Sequence, residues 1–170
     1  MGVNSQSGGK CMKILIAYAG KTGTTEKCAR LLAEKLPDAA AVDLNLQTPQ
    51  VASFDTVVVG GSIRMGQLHS KVKNFLVQNT QSLKSKKTAY FICCGSAENA
   101  SAFFANNFPK ELLERACGCE CFGGEMKIEN MHGVTRLMTK MILKSSAEKN
   151  VPPPQIIYEN IGKLAEEIIR

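Results

Sequence analysis

The chain has 170 residues, of which 44% are hydrophobic and 21% charged, and its net charge is +6. That length holds one domain with one core, and the composition excludes a chain that is disordered throughout. The longest apolar runs, such as residues 14–17 and 57–59, are too short for a membrane-spanning helix.

Residues 1–11 begin with a polar, Gly- and Ser-rich stretch that lacks the apolar middle of a signal peptide. They read as a disordered tail or an expression scar, with Met12 as the native start and 12–170 as the domain. Cytoplasmic location is the expectation. The seven cysteines are an odd number with no secretory leader, which points to reduced thiols.

Apolar runs of strand length then alternate with helical patterns. Residues 13–18 (KILIAY) read as a buried strand. Residues 25–36 carry one apolar stripe at helical spacing. Residues 40–46 form a weaker strand with Val42, Leu44 and Leu46 alternating. Residues 55–60 (DTVVVG) are a strand of β-branched residues. Residues 69–78 place Val72, Phe75 and Leu76 on one helical face. Residues 88–94 (TAYFICC) are the fourth strand, and 100–116 are helical with an interruption near Pro109. Residues 119–123 are a short fifth strand, 133–145 an extra helix and 161–170 the last helix. The prolines at 152–154 stiffen a link rather than mark a domain boundary.

This alternation predicts an α/β three-layer sandwich with a five-stranded parallel sheet, order 2-1-3-4-5, and helices on both faces. Cys117, Cys119 and Cys121 alternate, so on a strand they share one face. Their spacing of roughly 6–7 Å is too wide to converge on one metal ion. They read as small buried strand residues, and no metal site is expected. The basic residues are dispersed, Trp is absent and no nucleic-acid-reading motif occurs, which argues against nucleic acid. The excess positive charge serves either solubility or attraction to an acidic partner or anionic membrane surface.

In such sheets ligands bind beyond the carboxyl ends of the strands. Three polar loops fall there, at 19–25, 61–66 and 95–99. The first contains Gly20, Lys21, Thr22, Gly23, Thr24 and Thr25 between a strand and a helix start. Its glycines allow several N–H groups to face one anion, the helix end adds positive potential, and the threonines add hydroxyl donors. This is a cradle for a phosphomonoester. The spacings of a triphosphate loop and of a dinucleotide loop are both absent.

Thr22, Gly23 and Thr25 match the flavodoxin fingerprint, which usually reads T-x-T-G-x-T. The chain therefore resembles the flavodoxin-like family, although the first Ser/Thr of that pattern falls on Gly20. Gly60, Ser62, Ile63, Arg64, Gly66, His69 and Ser70 resemble a segment of the menaquinone-dependent protoporphyrinogen dehydrogenases, which share that fold. Residues 133–145 resemble the long insertion of that family, and the resemblance spans about residues 12–170.

The resemblance implies one non-covalent FMN and no catalytic side chain, since the flavin carries the chemistry. Residues 20–25 would hold its phosphate. Ser62, Ile63, Arg64, Met65 and Gly66 would lie along the isoalloxazine, and Cys94, Gly95, Ser96 and Asn99 would close the other side. Arg64 either pairs with the anionic reduced flavin or is solvated. His69 either starts the following helix with Ser70 or relays a proton. Cys93 and Cys94 read as a buried strand end. Aromatic rings are missing from the flavin loops, and Met65 stands where one would be expected.

On the extra helix, Val134, Leu137, Met138, Met141 and Ile142 form a stripe, with Arg136, Lys140 and Lys144 on the other side. Such a helix either packs on its own domain or makes a peripheral contact with the inner face of a membrane. The implied function is an FMN-dependent electron-transfer flavoprotein that oxidises protoporphyrinogen or a related substrate with a quinone acceptor. The alternative is a carrier that shuttles electrons between protein partners, and a third is a flavin-free interaction domain. The start of the insertion and the third loop lack the family's basic residues.

Overall fold

The structure, a computed structural model, describes residues 12–126 and 128–170. The tail reading of residues 1–11 lies outside the described residues. Strand β1 (Ile14–Ala19) is buried on both faces and forms the middle of the sheet with β3 (Thr56–Arg64) and β5 (Lys87–Cys93). The edges are β2 (Ala39–Asp43) and β6 (Gly118–Cys121), and the parallel order is β2-β1-β3-β5-β6. A two-residue strand, β4 (Gln67–Leu68), folds back antiparallel on the end of β3.

Side-chain alternation along these strands divides the core in two. Leu15, Ala17, Val57, Val59, Tyr90 and Ile92 face helices α2 (Ser70–Lys84), α3 (Ala100–Asn107) and α4 (Lys110–Leu113). Ile14, Ile16, Val58, Ala89 and Phe91 face α1 (Thr24–Glu34) and α6 (Tyr158–Ile169). Phe91 stacks on Phe122 with centroids 4.6 Å apart. Helix α5 (Gly133–Glu148) lies between β6 and α6 in sequence.

Local chemistry moves several boundaries from their predicted places. Strand β2 ends at Asp43 because its carboxylate accepts the Asn45 N–H at 2.8 Å, a side-chain turn that takes Leu44 out of the strand. Phe108 is extended (φ −110°, ψ 145°), as a residue before proline prefers, and this splits the 100–116 helix into α3 and α4. Strand β3 runs on through Arg64 because the positive φ of Met65 (49°) and Gly66 (74°) makes a tight hairpin into β4. The fifth strand is Gly118–Cys121, so Cys117 precedes it. Cys119 and Cys121 share one sheet face, whereas Cys117 packs against the other core. No group of three metal-ligating side chains occurs among the described residues.

Candidate functional site

The carboxyl ends of β1, β3 and β5 open onto one cleft with about 550 Å³ of atom-free space. Lys21, Thr22, Thr24 and Thr25 form one end, and Ser62, Ile63 and Arg64 form the middle. Cys93, Cys94 and Gly95 form the wall at the end of β5.

The loop after β1 is shaped by its glycines. A Cβ on Gly20 would sit 2.7 Å from Cβ and Oγ1 of Thr25, so the chain has room for glycine where the fingerprint has a hydroxyl residue. Gly23, at φ 86°, caps α1, and its carbonyl accepts the Lys27 N–H at 3.0 Å. The preceding first-turn N–H groups of this 11-residue helix face the loop without a helical acceptor. Asn45 Nδ2 donates to the Gly20 carbonyl at 3.2 Å and ties the loop to the end of β2.

Two buried hydroxyls in this cleft bear on what it can hold. Thr24 Oγ1 and Ser62 Oγ are buried and have no hydrogen-bond partner among the described residues. Buried hydroxyls are normally satisfied, because an unmade hydrogen bond costs about 1–3 kcal/mol. One orphan lies at the positive end of α1 and the other beside the middle of the cleft. A ligand with a phosphate at one end and a polar ring system at the other would give both hydroxyls a partner.

Other predicted residues stand around the cleft rather than in its lining. Gly20 and Gly23 shape the first loop from behind. Met65 is 95% exposed at the hairpin tip, and Gly66 follows it. Asn107 on α3 clamps that hairpin by donating to the Gly66 carbonyl and accepting the Leu68 N–H, both at 2.9 Å. Ser96 precedes the short 3-10 turn Ala97–Asn99 beyond Gly95, and Asn99 ends it. His69 caps α2, its Nδ1 accepting the Lys71 N–H at 3.3 Å. Burial, then the Lys21 charge, holds its pKa below the usual value, which suits a neutral acceptor.

The far wall carries residues that motif reading did not reach: Gly124, Glu125, Met126, Met131 and Pro154. They arrive from the segments on either side of α5. Gly124 N–H donates to the Gln155 carbonyl at 3.2 Å, and Gly123 bridges to Ile156, so the two segments are pinned together. Glu125 forms an ion pair with Lys27 at 3.1 Å. Only the Gly123-Gly124 pair hinted at this close approach in the sequence.

Helix α5 turns its apolar stripe outward. Val134, Leu137, Met138, Met141 and Ile142 are each more than half exposed, and Thr139 is the residue it buries. Of the two readings of this helix, packing on its own domain does not run through that stripe.

A doubly wound parallel sheet with a glycine- and threonine-rich loop after its first strand defines the class of this protein. Residues 15–151 match the flavodoxin-domain family, and the chain belongs to it. It is similar to protoporphyrinogen IX dehydrogenase [quinone] of Escherichia coli strain K12, at 27% identity over 92% of this chain and 94% of that protein. Among solved structures it resembles the two-electron reduced flavodoxin of Megasphaera elsdenii (TM-score 0.52, 23% identity, 64% of this chain and 84% of that one). It also resembles a flavodoxin from the domain Archaea (TM-score 0.53, 13% identity, 94% of this chain and all of that one). A third likeness is to a flavoprotein of Lactobacillus acidophilus NCFM in complex with FMN (TM-score 0.52, 14% identity, 65% and 93%).

Proposed function

We propose that the cleft holds one FMN and that the protein is a flavin-dependent oxidoreductase passing electrons from a protoporphyrinogen-like substrate to a quinone. The observation that carries the cofactor is the pair of buried, unpartnered hydroxyls of Thr24 and Ser62 in one cleft. The N–H groups at the start of α1 and the hydroxyls of Thr22 and Thr24 hold the phosphate. Ser62 and Ile63 would hold the ring system, and Gly95 would leave room for it beside the end of β5. Arg64 sets a positive charge beside it. When bound, the flavin supplies two-electron chemistry that can be released singly or in pairs. Gly20, Lys21, Gly23, Thr25, Met65, Gly66, Cys94, Ser96 and Asn99 complete the assigned site.

The substrate and acceptor follow from the similarity to the Escherichia coli quinone enzyme. Reconstitution with FMN, then anaerobic protoporphyrinogen oxidation with a menaquinone analogue, tests both parts. The expected result is one FMN per chain and turnover well above a no-enzyme control. FMN binding without turnover would leave a carrier between protein partners, and no flavin uptake would remove the cofactor itself.

The outward stripe of α5 supports a peripheral contact with an anionic membrane from the cytoplasmic side, where a quinone is within reach. Arg136, Lys140 and Lys144 flank the stripe, and no helix among the described residues is long and apolar enough to cross a membrane. Leu137→Asp with Met141→Asp is expected to lower binding to anionic vesicles at least ~10-fold with little change in melting temperature, since both side chains are exposed. Vesicle co-sedimentation measures it, and equal binding by the variant counts against the contact.

A further inference from the structure

The wall of the cleft at the end of β5 contains a pair of thiols. Cys94 and Cys121 lie at the ends of neighbouring parallel strands, on the same sheet face, with Sγ atoms 3.5 Å apart. The Cys94 N–H donates to the Gly123 carbonyl at 2.9 Å, and the Gly123 N–H points back at Cys121 Sγ at 3.4 Å. These bonds hold the strand ends, and so the two sulfurs, against each other. Cys94 lines the cleft, whereas Cys121 sits behind it.

The pair is electrostatically uneven. Its hydrogen bond with Cys94, aided by the Gly123 N–H, draws the Cys121 thiol below its usual pKa, while the same bond and burial push Cys94 up. Cys121 is thus the member readier to become a thiolate. The neighbouring Cys93 points to the opposite face, where Cys28 is its partner in a fully enclosed core. Cys93 also touches the cleft wall, but its partner Cys28 is fully buried on the other side of the sheet and does not line the cleft.

We propose that Cys94 and Cys121 form a second two-electron redox site in the wall of the flavin cleft, a dithiol that closes to a disulfide. The inference rests on the FMN reading for its electron acceptor. Both S–H bonds break and one S–S bond forms. Two electrons and one proton pass to the oxidised isoalloxazine, and the second proton goes to solvent. Cys94 is placed toward the acceptor, and Cys121 supplies the sulfur that closes the bond. The domain then stores two electron pairs rather than one.

The test uses the full chain reconstituted with FMN, equilibrated with glutathione disulfide, freed of it, and titrated anaerobically with dithionite. The wild type is expected to take up about four electron equivalents per chain, two for the flavin and two for the disulfide. Its oxidised form should be about 2 Da lighter, as loss of two hydrogens requires. A peptide joining Cys94 to Cys121 identifies the bond. Cys121→Ala, behind the cleft, should take up about two equivalents and show no mass change, whereas Cys28→Ser should behave as wild type. A wild-type uptake of two equivalents with unchanged thiol count overturns the proposal, as does a bond mapped to Cys28 and Cys93. If the chain forms the Cys94–Cys121 bond yet holds no flavin, the thiol site stands and the cofactor reading falls.

Discussion

Thr24→Val is expected to weaken FMN binding by about 10- to 100-fold while leaving the free protein as stable as the wild type or slightly more so. The range follows from a hydrogen bond to a charged group, worth about 1.5–3 kcal/mol. The two effects separate for a structural reason. The Thr24 hydroxyl is buried at the start of α1 without a partner, so in the free protein it contributes only a desolvation cost. Valine keeps the shape and removes that cost. In the proposed complex the same hydroxyl would donate to a phosphate oxygen at the positive end of the helix. A hydroxyl that served only the fold would show the reverse pattern, lost stability with unchanged affinity. Fluorescence titration of FMN together with thermal melts of the free protein reads both quantities. Unchanged affinity would move the phosphate away from this loop.

Gly60→Ala is expected to cost about 2–3 kcal/mol and lower the melting temperature by about 5–10 °C. Gly60 lies in β3 beneath the ring of Phe91, and an added Cβ would sit 2.1 Å from two of its ring atoms. Phe91 cannot yield freely, because it is fully buried and stacked on Phe122. The new methyl must therefore push either the central strand or the aromatic pair out of place. In a Phe91→Leu background the same substitution should cost less, since the far ring atoms are gone, and a double-mutant cycle measures the difference. Equal costs in both backgrounds would show that the strain lies in the backbone instead. This site also constrains function, because β3 continues directly into Ser62, Ile63 and Arg64 of the cleft. A displaced β3 would carry those residues with it.

How much of this was legible beforehand depended on whether the signal was local. The buried strands read at 13–18 and 55–60 and the loop between Gly20 and Thr25 carried their own evidence. Apolar runs, β-branched residues and glycines act within a few neighbours. Boundaries were less legible, because they turned on single interactions, such as the Asp43 carboxylate that stops β2 and the extended Phe108 that divides α3 from α4. The apolar stripe of α5 was visible as a stripe, but periodicity records only that a face exists. It does not record which way the helix is rolled, and here Thr139 faces inward while Leu137 and Met141 face out.

By itself, then, the amino-acid sequence determined the doubly wound α/β sheet and the glycine- and threonine-rich turn after its first strand, while the hairpin that follows Arg64 emerged only in the structure. The sheet and the turn are dictated by short-range periodicity or by backbone conformations open to few residues. Tertiary structure alone decided that Glu125, Met126, Met131 and Pro154 close the far wall, that Asn45 and Asn107 brace the two loops, and that Cys94 meets Cys121. Those partners are separated by 25 or more residues in every case but the wall segments, and even these face loops from other strands. Their meeting depends on strand order and register, which arise from how the two cores fill on either side of the sheet, and no local pattern carries that information.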